Sequence, residues 1–353
     1  MAIFIASDFH CKYQKVAWMD DTDGELHIAD VHHQDVNEVA RFYRQFPRGS
    51  ILGMETSGYS HWFEELVVGL GLELRIGNSQ VIASKRPRRQ KNDQLDAEQM
   101  LCMLLENRFP TIWRPTPENR EKRVLIRQRC RLVKMRTQLI NALRALLYNH
   151  NLHLKRGQLS KKRRQQIADL PMSPILDQQR REMLGLIEQL DASVKSKEAQ
   201  IERWARQDQE AARLLTIPGV GPCTALTAVL ILGPVGRFPS AKKVVGYVGL
   251  DCSEHSTNNV HQKRRYGQIS KQGNKLLRWL LTEATGSAIR TDAQRKRYYA
   301  RLKYRKDWRV AKTAVARKIL VCIYVLLRDG IDYPEFLRRG PGFGMPAETA
   351  GRK

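Results

Sequence analysis

The chain is short of acidic residues, and it lacks the sequence features that several common protein classes require. Its 36 Asp and Glu face 61 Lys and Arg, a formal net charge of +25 with neutral histidines. An imbalance of that size makes nucleic acid the first expected partner, because phosphates supply the missing negative charge and counterion release favours the complex. An anionic membrane surface would satisfy the same arithmetic, but the basic residues are not confined to one amphipathic segment. No uninterrupted apolar run approaches the length needed to cross a bilayer, and MAIFIASDFHCK lacks the pattern of a secretory signal. The expectation is a cytoplasmic protein without a membrane partner. The six cysteines are scattered without a CxxC pair, which argues against a zinc knuckle or a disulfide framework. No GxxxxGK[ST] loop occurs, so no ATP requirement is expected.

What is present suffices for two or three domains: 353 residues, of which 42% are hydrophobic. AIFIASDFH reads as a buried strand, and KYQKVAWMD and ELHIADV follow as two more, separated by the turn-forming DDTDG. A helix around Asp35 to Phe46, a strand ILGMETSG, a helix at His61 to Leu70 and a strand at Leu72 to Ile76 complete a mixed α/β sheet with covered faces.

Acids recur where these elements end. Asp8 closes the first strand and Glu55 the fourth, while Asp93 and Asp96, three apart, share one side of a starting helix. Converging carboxylates repel one another unless a cation holds them, and Mg²⁺ or Mn²⁺ suits oxygen ligands that also bind phosphate. The alternative is that Asp8 and Glu55 cap loops while Asp93 and Asp96 serve a helix N-terminus, where acids are favoured anyway. Immediately before them runs KRPRRQK, with Lys85, Arg86, Arg88, Arg89 and Lys91 able to hold a phosphodiester near the acids.

Leu125, Leu132, Leu139 and Leu146 recur every seven residues, and a second pattern uses Met183, Ile187, Leu190, Val194, Ile201 and Trp204. Two long antiparallel helices are expected, serving either as a dimerising arm or as an intramolecular hairpin. Further on, PGVGP carries Gly219 and Gly221 in a helix-hairpin-helix-like turn whose amides either face a phosphate or form a tight helix junction. A hydroxyl-rich loop is then followed by Lys263, Arg264, Arg265, Lys271, Lys275 and Arg278, candidates for phosphate contact. A serine there either attacks phosphorus or makes an ordinary turn. Tyr298, Tyr299, Tyr304 and Trp308 lie among cations and can stack on bases, although the spacing of Tyr304 and Trp308 also suits a core face. Ile319 to Leu327 reads as a closing core helix, and the last residues as a flexible tail.

Asp8 at a strand end, METSG at 54–58 and KNDQLDA at 91–97 resemble the three signatures of insertion-sequence transposases with a RuvC-like, ribonuclease-H-type domain and a DEDD tetrad. PGVGPCTA, GYVGL and GQISKQGNKLLR resemble the C-terminal serine domain of the same family. The resemblance implies an N-terminal RuvC-like domain at residues 1–115, a coiled-coil arm at 116–208, a helical serine transposase domain at 209–336 and a tail at 337–353. It places the metal on Asp8, Glu55, Asp93 and Asp96 and the catalytic serine at Ser256, with Thr257 or Ser253 as alternatives. Two departures occur: Asp251-Cys252 replaces the usual residue followed by proline, and Asn258 stands where glycine is usual. The resemblance further implies donor and target DNA, a guide RNA encoded by the element, and a homo-oligomer in which dimers form a tetramer. On the residues alone, a metal-dependent structure-selective nuclease and a non-catalytic architectural protein remain alternatives.

Overall fold

The computed structural model describes residues 3–19, 24–85, 92–152, 159–255 and 265–340. They form two compact units, residues 1–114 and 115–353.

The first unit is built on β1 (Phe4–Phe9), β2 (Tyr13–Met19), β3 (Leu26–His32), α1 (Val36–Arg44), β4 (Ile51–Glu55), α2 (His61–Gly69), β5 (Glu73–Gly77), α3 (Ser79–Ser84) and α4 (Asp93–Leu105). The sheet order is β3-β2-β1-β4-β5, with β1, β2 and β3 antiparallel and β4 and β5 parallel to β1. That mixed sheet is consistent with a ribonuclease-H-like fold. Strict alternation divides its side chains between two cores. Ile5, Phe9, Val16, Leu52 and Met54 join α1 and α2 on one face. Phe4, Ala6, Ala17 and Ile51 meet Ala97, Met100, Leu101 and Leu104 of α4 on the other.

The second unit begins with α5 (Pro117–Asn149), α6 (Lys161–Ala168) and α7 (Pro174–Gln207). Proline at the first turn starts both long helices, and the Thr116 side chain caps the first by accepting from the Asn119 amide. They run antiparallel: Arg129 pairs with Glu198 and Arg136 with Asp191, so seven residues forward along α5 is seven back along α7. The expected seams are only partly realised. On α7, Ile187, Val194 and Ile201 are buried at heptad spacing, but Leu125, Leu132, Leu139 and Leu146 of α5 are half-buried, and Ile126, Leu143 and Leu147 are buried instead. The cause is that each end of α5 has its own neighbours. Ile126 packs into the following helical core, whereas Leu143 and Leu147 join Leu159, Ile167 and Ile187 in a cluster that includes α6.

The remaining elements are α8 (Gln209–Leu214), α9 (Pro222–Leu232), α10 (Ala241–Val248), β6 (Cys252–His255), β7 (Arg265–Ile269), α11 (Lys275–Thr291), α12 (Ala293–Arg305), α13 (Trp308–Asp329) and α14 (Tyr333–Arg338). Every residue of α9 from Thr224 to Leu232 is buried, as expected of a helix apolar all round. Residues 319–327 of α13 supply the other half of this core. No helix among the described residues is long and apolar enough to cross a membrane.

Candidate functional site

The sheet dictates where the acids meet. Asp8 shares the side of β1 that carries Phe4 and Ala6, and Glu55 shares the side of β4 that carries Ile51 and Gly53. The parallel register pairs Ser7 with Met54, and one step beyond it stand Asp8 and Glu55, at the carboxyl ends of adjacent strands. This face is covered by α4. Gly53 permits the approach, since a Cβ there would lie 2.7 Å from the Leu104 side chain. The Asn92 side chain accepts from the Gln94 amide and starts α4, so that Asp93 and Asp96 fall in its first turn.

Asp8 is 3% exposed and Asp96 6%, while Glu55 is half-buried. His10 Nε2 lies 3.2 Å from Asp8 Oδ2 and 3.4 Å from Asp93 Oδ2. Tyr13, on the same side of β2 as Ala17, donates its hydroxyl to Asp93 Oδ2 at 2.6 Å. That hydrogen bond, with burial and the charges of Asp93, Asp8 and Asp30, raises the Tyr13 pKa, so the phenol remains a donor. One ligand atom each from Asp8, His10 and Asp93 lie within 4.8 Å of one another. Opposite ligands of a small divalent ion stand about 4.2 Å apart, so the spacing and the two carboxylates suit a divalent cation. Glu55 and Asp96 lie outside this tightest group. His10 and Tyr13 were missed by the sequence reasoning, although the hairpin register and strand parity would have placed Tyr13 on the acidic side.

Of the basic loop, Lys85 is exposed at the end of α3, and Arg86, Arg88, Arg89 and Lys91 lie outside the described residues.

In the second unit β6 and β7 pair antiparallel, Cys252 opposite Ile269 and His255 opposite Arg265. Ser256 and Thr257, with Lys263 and Arg264, belong to the connection between these strands, outside the described residues; Ser253 is on β6. The two loops beneath interlock through glycines. A Cβ on Gly249 would come within 1.7 Å of the Gln272 carbonyl oxygen, and one on Gly273 within 2.0 Å of that of Tyr247. Arg278 donates to the Val248 carbonyl at 2.8 Å, and Ser270 to Asp251 at 2.5 Å. Arg278 thus uses one of its donors to tie the two loops together. Lys271 is exposed and holds φ +53°, a left-handed conformation that costs a lysine energy, and Lys275 is exposed at the start of α11.

Gly219 has φ +86°, and a Cβ there would lie 2.4 Å from the Ala288 backbone nitrogen. Arg295 also donates to the Pro218 carbonyl. The first glycine of PGVGP therefore serves a tight helix junction, whereas Gly221, at the start of α9, has open space beside it. The suggested core face of Tyr304 and Trp308 is not formed. The chain extends at Lys306, between α12 and α13, and Asp307 caps the new helix, leaving Tyr304 93% and Trp308 48% exposed. Tyr298 and Tyr299 pack against the core instead.

Two family profiles match this chain. A profile described as Transposase, of the DEDD IS110 type, covers residues 8–151, beginning at Asp8, and one described as Transposase IS116/IS110/IS902 family covers residues 211–300. The "Transposase for insertion sequence element IS1111A" of Coxiella burnetii is 27% identical over 79% of this chain and 78% of its own length. The "Probable family 20 transposase" of Pseudomonas aeruginosa is 27% identical over 82% of this chain and 87% of its own length. With the acids of its mixed sheet and its C-terminal helices falling in the two matched regions, the chain belongs to the DEDD insertion-sequence transposases.

Proposed function

We propose that this transposase exchanges DNA strands through a covalent serine linkage, with Ser256 as the nucleophile and Asp8, Glu55, Asp93 and Asp96 as the divalent-metal site. Membership of the family implies DNA as the substrate and a divalent metal as the cofactor. The observation that carries the reading is the approach of Asp8, His10 and Asp93 to within 4.8 Å at the carboxyl ends of the sheet. Bound there, Mg²⁺ or Mn²⁺ would supply positive charge to phosphate oxygens. Tyr13 orients Asp93, and His10 bridges the two aspartates.

In the proposed step the Ser256 oxygen forms a bond to phosphorus and the ester bond to the departing strand breaks. The serine proton leaves, and the departing oxygen gains one. The number of phosphate ester bonds is unchanged, so no nucleoside triphosphate is consumed. Rejoining reverses the step with the hydroxyl of another strand. The division into RuvC-like domain, arm and serine domain, the assembly of dimers into a tetramer, the cytoplasmic setting and guidance by an element-encoded RNA belong to the same reading.

The test uses DNA with labelled strands, the protein, Mg²⁺ and the element's RNA, followed by denaturation and peptide mapping. A label on Ser256 that Ser256→Ala abolishes supports the reading. A label on Thr257 or Ser253 moves the nucleophile, and cleavage unchanged in Ser256→Ala identifies a hydrolytic nuclease instead. Asp93→Asn should abolish cleavage while leaving nucleic-acid affinity nearly intact; undiminished cleavage removes the metal site. RNase treatment that leaves activity unchanged removes the guide.

A further inference from the structure

Far along the sequence from the acids, the second unit contains a cleft of about 300 Å³ where α5, α9 and α11 meet. Its floor is mainly apolar, with Thr227 and Asn274 as polar lining members: Ile126 and Ile231 are buried, and Leu276 packs against the same core. Arg123, Arg127 and Lys275 also line it, the last two exposed, so its rim is cationic. Among the described residues no Asp or Glu lines it.

The positive charge extends beyond the rim. Burial lowers the Arg123 pKa to about 10; the Tyr247 hydroxyl acts against that shift, and Arg127, Arg120 and Arg237 add to it. Arg123 itself donates to the Leu230 carbonyl, and an arriving anion would lower the mutual repulsion of these neighbouring guanidinium groups. An inorganic anion would satisfy the rim but leave the half-buried Leu276 of the floor facing water. A duplex presents its phosphates on a broad convex surface that a cleft of this volume cannot admit. One unpaired nucleotide matches both parts, with its phosphate at the cations and its base or sugar on the apolar floor.

We propose that this cleft seats one unpaired nucleotide of a single strand, its phosphate between Arg127 and Lys275 and its base or sugar over Ile126, Ile231 and Leu276. The site needs neither the metal nor Ser256, so its test is run in EDTA and separates from that of strand exchange.

Full-length protein is titrated into fluorescent oligo-dT and oligo-U over a range of salt concentrations. Arg127→Ala with Lys275→Ala is compared with Arg131→Ala with Lys195→Ala, which removes the same charge from exposed positions on α5 and α7 outside the cleft. The cleft pair is expected to weaken binding of at least one strand about tenfold more than the control pair. It should also reduce the steepness of the salt dependence by about 0.7, the value for one single-strand phosphate that is no longer neutralised. The strand that responds identifies DNA or RNA as the source. Oligonucleotides carrying 4-thiothymidine or 4-thiouridine are also photocrosslinked to the wild-type protein, a readout that survives if the double variant fails to fold. Crosslinks in the peptides containing residues 123–127 or 274–276 support the site. Equal losses in the two pairs, or crosslinks only elsewhere, overturn it.

Discussion

Tyr13 donates to Asp93 across 80 positions of sequence, at 2.6 Å, joining the second strand of the sheet to the first turn of α4. Groups that orient a metal-binding carboxylate commonly control metal affinity by about ten- to a hundredfold. Tyr13→Phe is therefore expected to weaken Mn²⁺ binding by about that factor in calorimetric titration, with the thermal unfolding midpoint nearly unchanged. Unaltered Mn²⁺ affinity would separate Tyr13 from the proposed metal site.

The interlock of Gly249 and Gly273 predicts a large stability effect. Both have positive φ, +77° and +95°, and in each case the atom nearest an added Cβ is a backbone oxygen. Either residue changed to Ala should cost about 3 kcal/mol or more, from left-handed strain together with overpacking. Gly185→Ala, within α7 and with nothing within 4 Å of the new methyl, should instead stabilise by about 0.5–1 kcal/mol. Urea denaturation of the three variants makes the comparison.

Cys130 of α5 and Cys223 of α9 share a thiol hydrogen bond. That bond pulls the Cys130 pKa down to about 7; burial opposes the shift and Arg129 assists it. Burial pushes Cys322 the other way, to about 12. Alkylation of Cys130 by iodoacetamide should rise with a midpoint near pH 7, whereas Cys322 remains unreactive at neutral pH. Cys223→Ala should move the Cys130 midpoint upward. Between about pH 7 and the ordinary thiol value of 9.0 the unfolded chain holds more protons at Cys130 than the native one. Its contribution to stability grows as the pH rises between those values and is lost as the pH falls through 7, whereas above pH 9 the Cys223 thiol, raised by the same hydrogen bond, keeps its proton and acts in the opposite sense. A midpoint that stays at that of a free thiol would contradict the assignment.

Tyr304 and Trp308 stand exposed at the break between α12 and α13, beside Arg305, Lys306 and Arg309. Stacking of one base is worth about 1–3 kcal/mol, so Tyr304→Ala or Trp308→Ala should weaken single-strand binding by about 1 kcal/mol or more. Exposed as they are, each should change folding stability by less than about 0.5 kcal/mol. Anisotropy titrations and thermal melts read the two quantities separately; unchanged affinity in both variants would leave these rings without a binding role.

Much of this architecture is local and therefore legible in the chain. Short apolar runs mark β1 and β4, mixed apolar and polar segments bounded by turn residues mark β2, β3 and β5, and Thr116-Pro117 and Ser173-Pro174 mark the starts of the long helices. Strand parity, which groups Asp8 with Phe4 and Ala6 and Glu55 with Ile51 and Gly53, is also a property of sequence, because successive side chains in a strand must point to opposite sides, whereas the parallel register of β1 and β4 puts the two acids on one face. Which face receives α4 was decided only in three dimensions, where Gly53 admits Leu104 and the helix carries Asp93 to His10 and Tyr13. The same holds for α5, whose leucine heptad reads as a seam. Its two ends enter different cores, so Ile126 and Leu143 are buried in place of Leu125 and Leu139. Heptad spacing states which residues share a stripe, but burial depends on what packs against that stripe, and those partners come from distant parts of the chain. Likewise, four-residue spacing made Tyr304 and Trp308 resemble a core face, and one extended residue, Lys306, separated them into two helices.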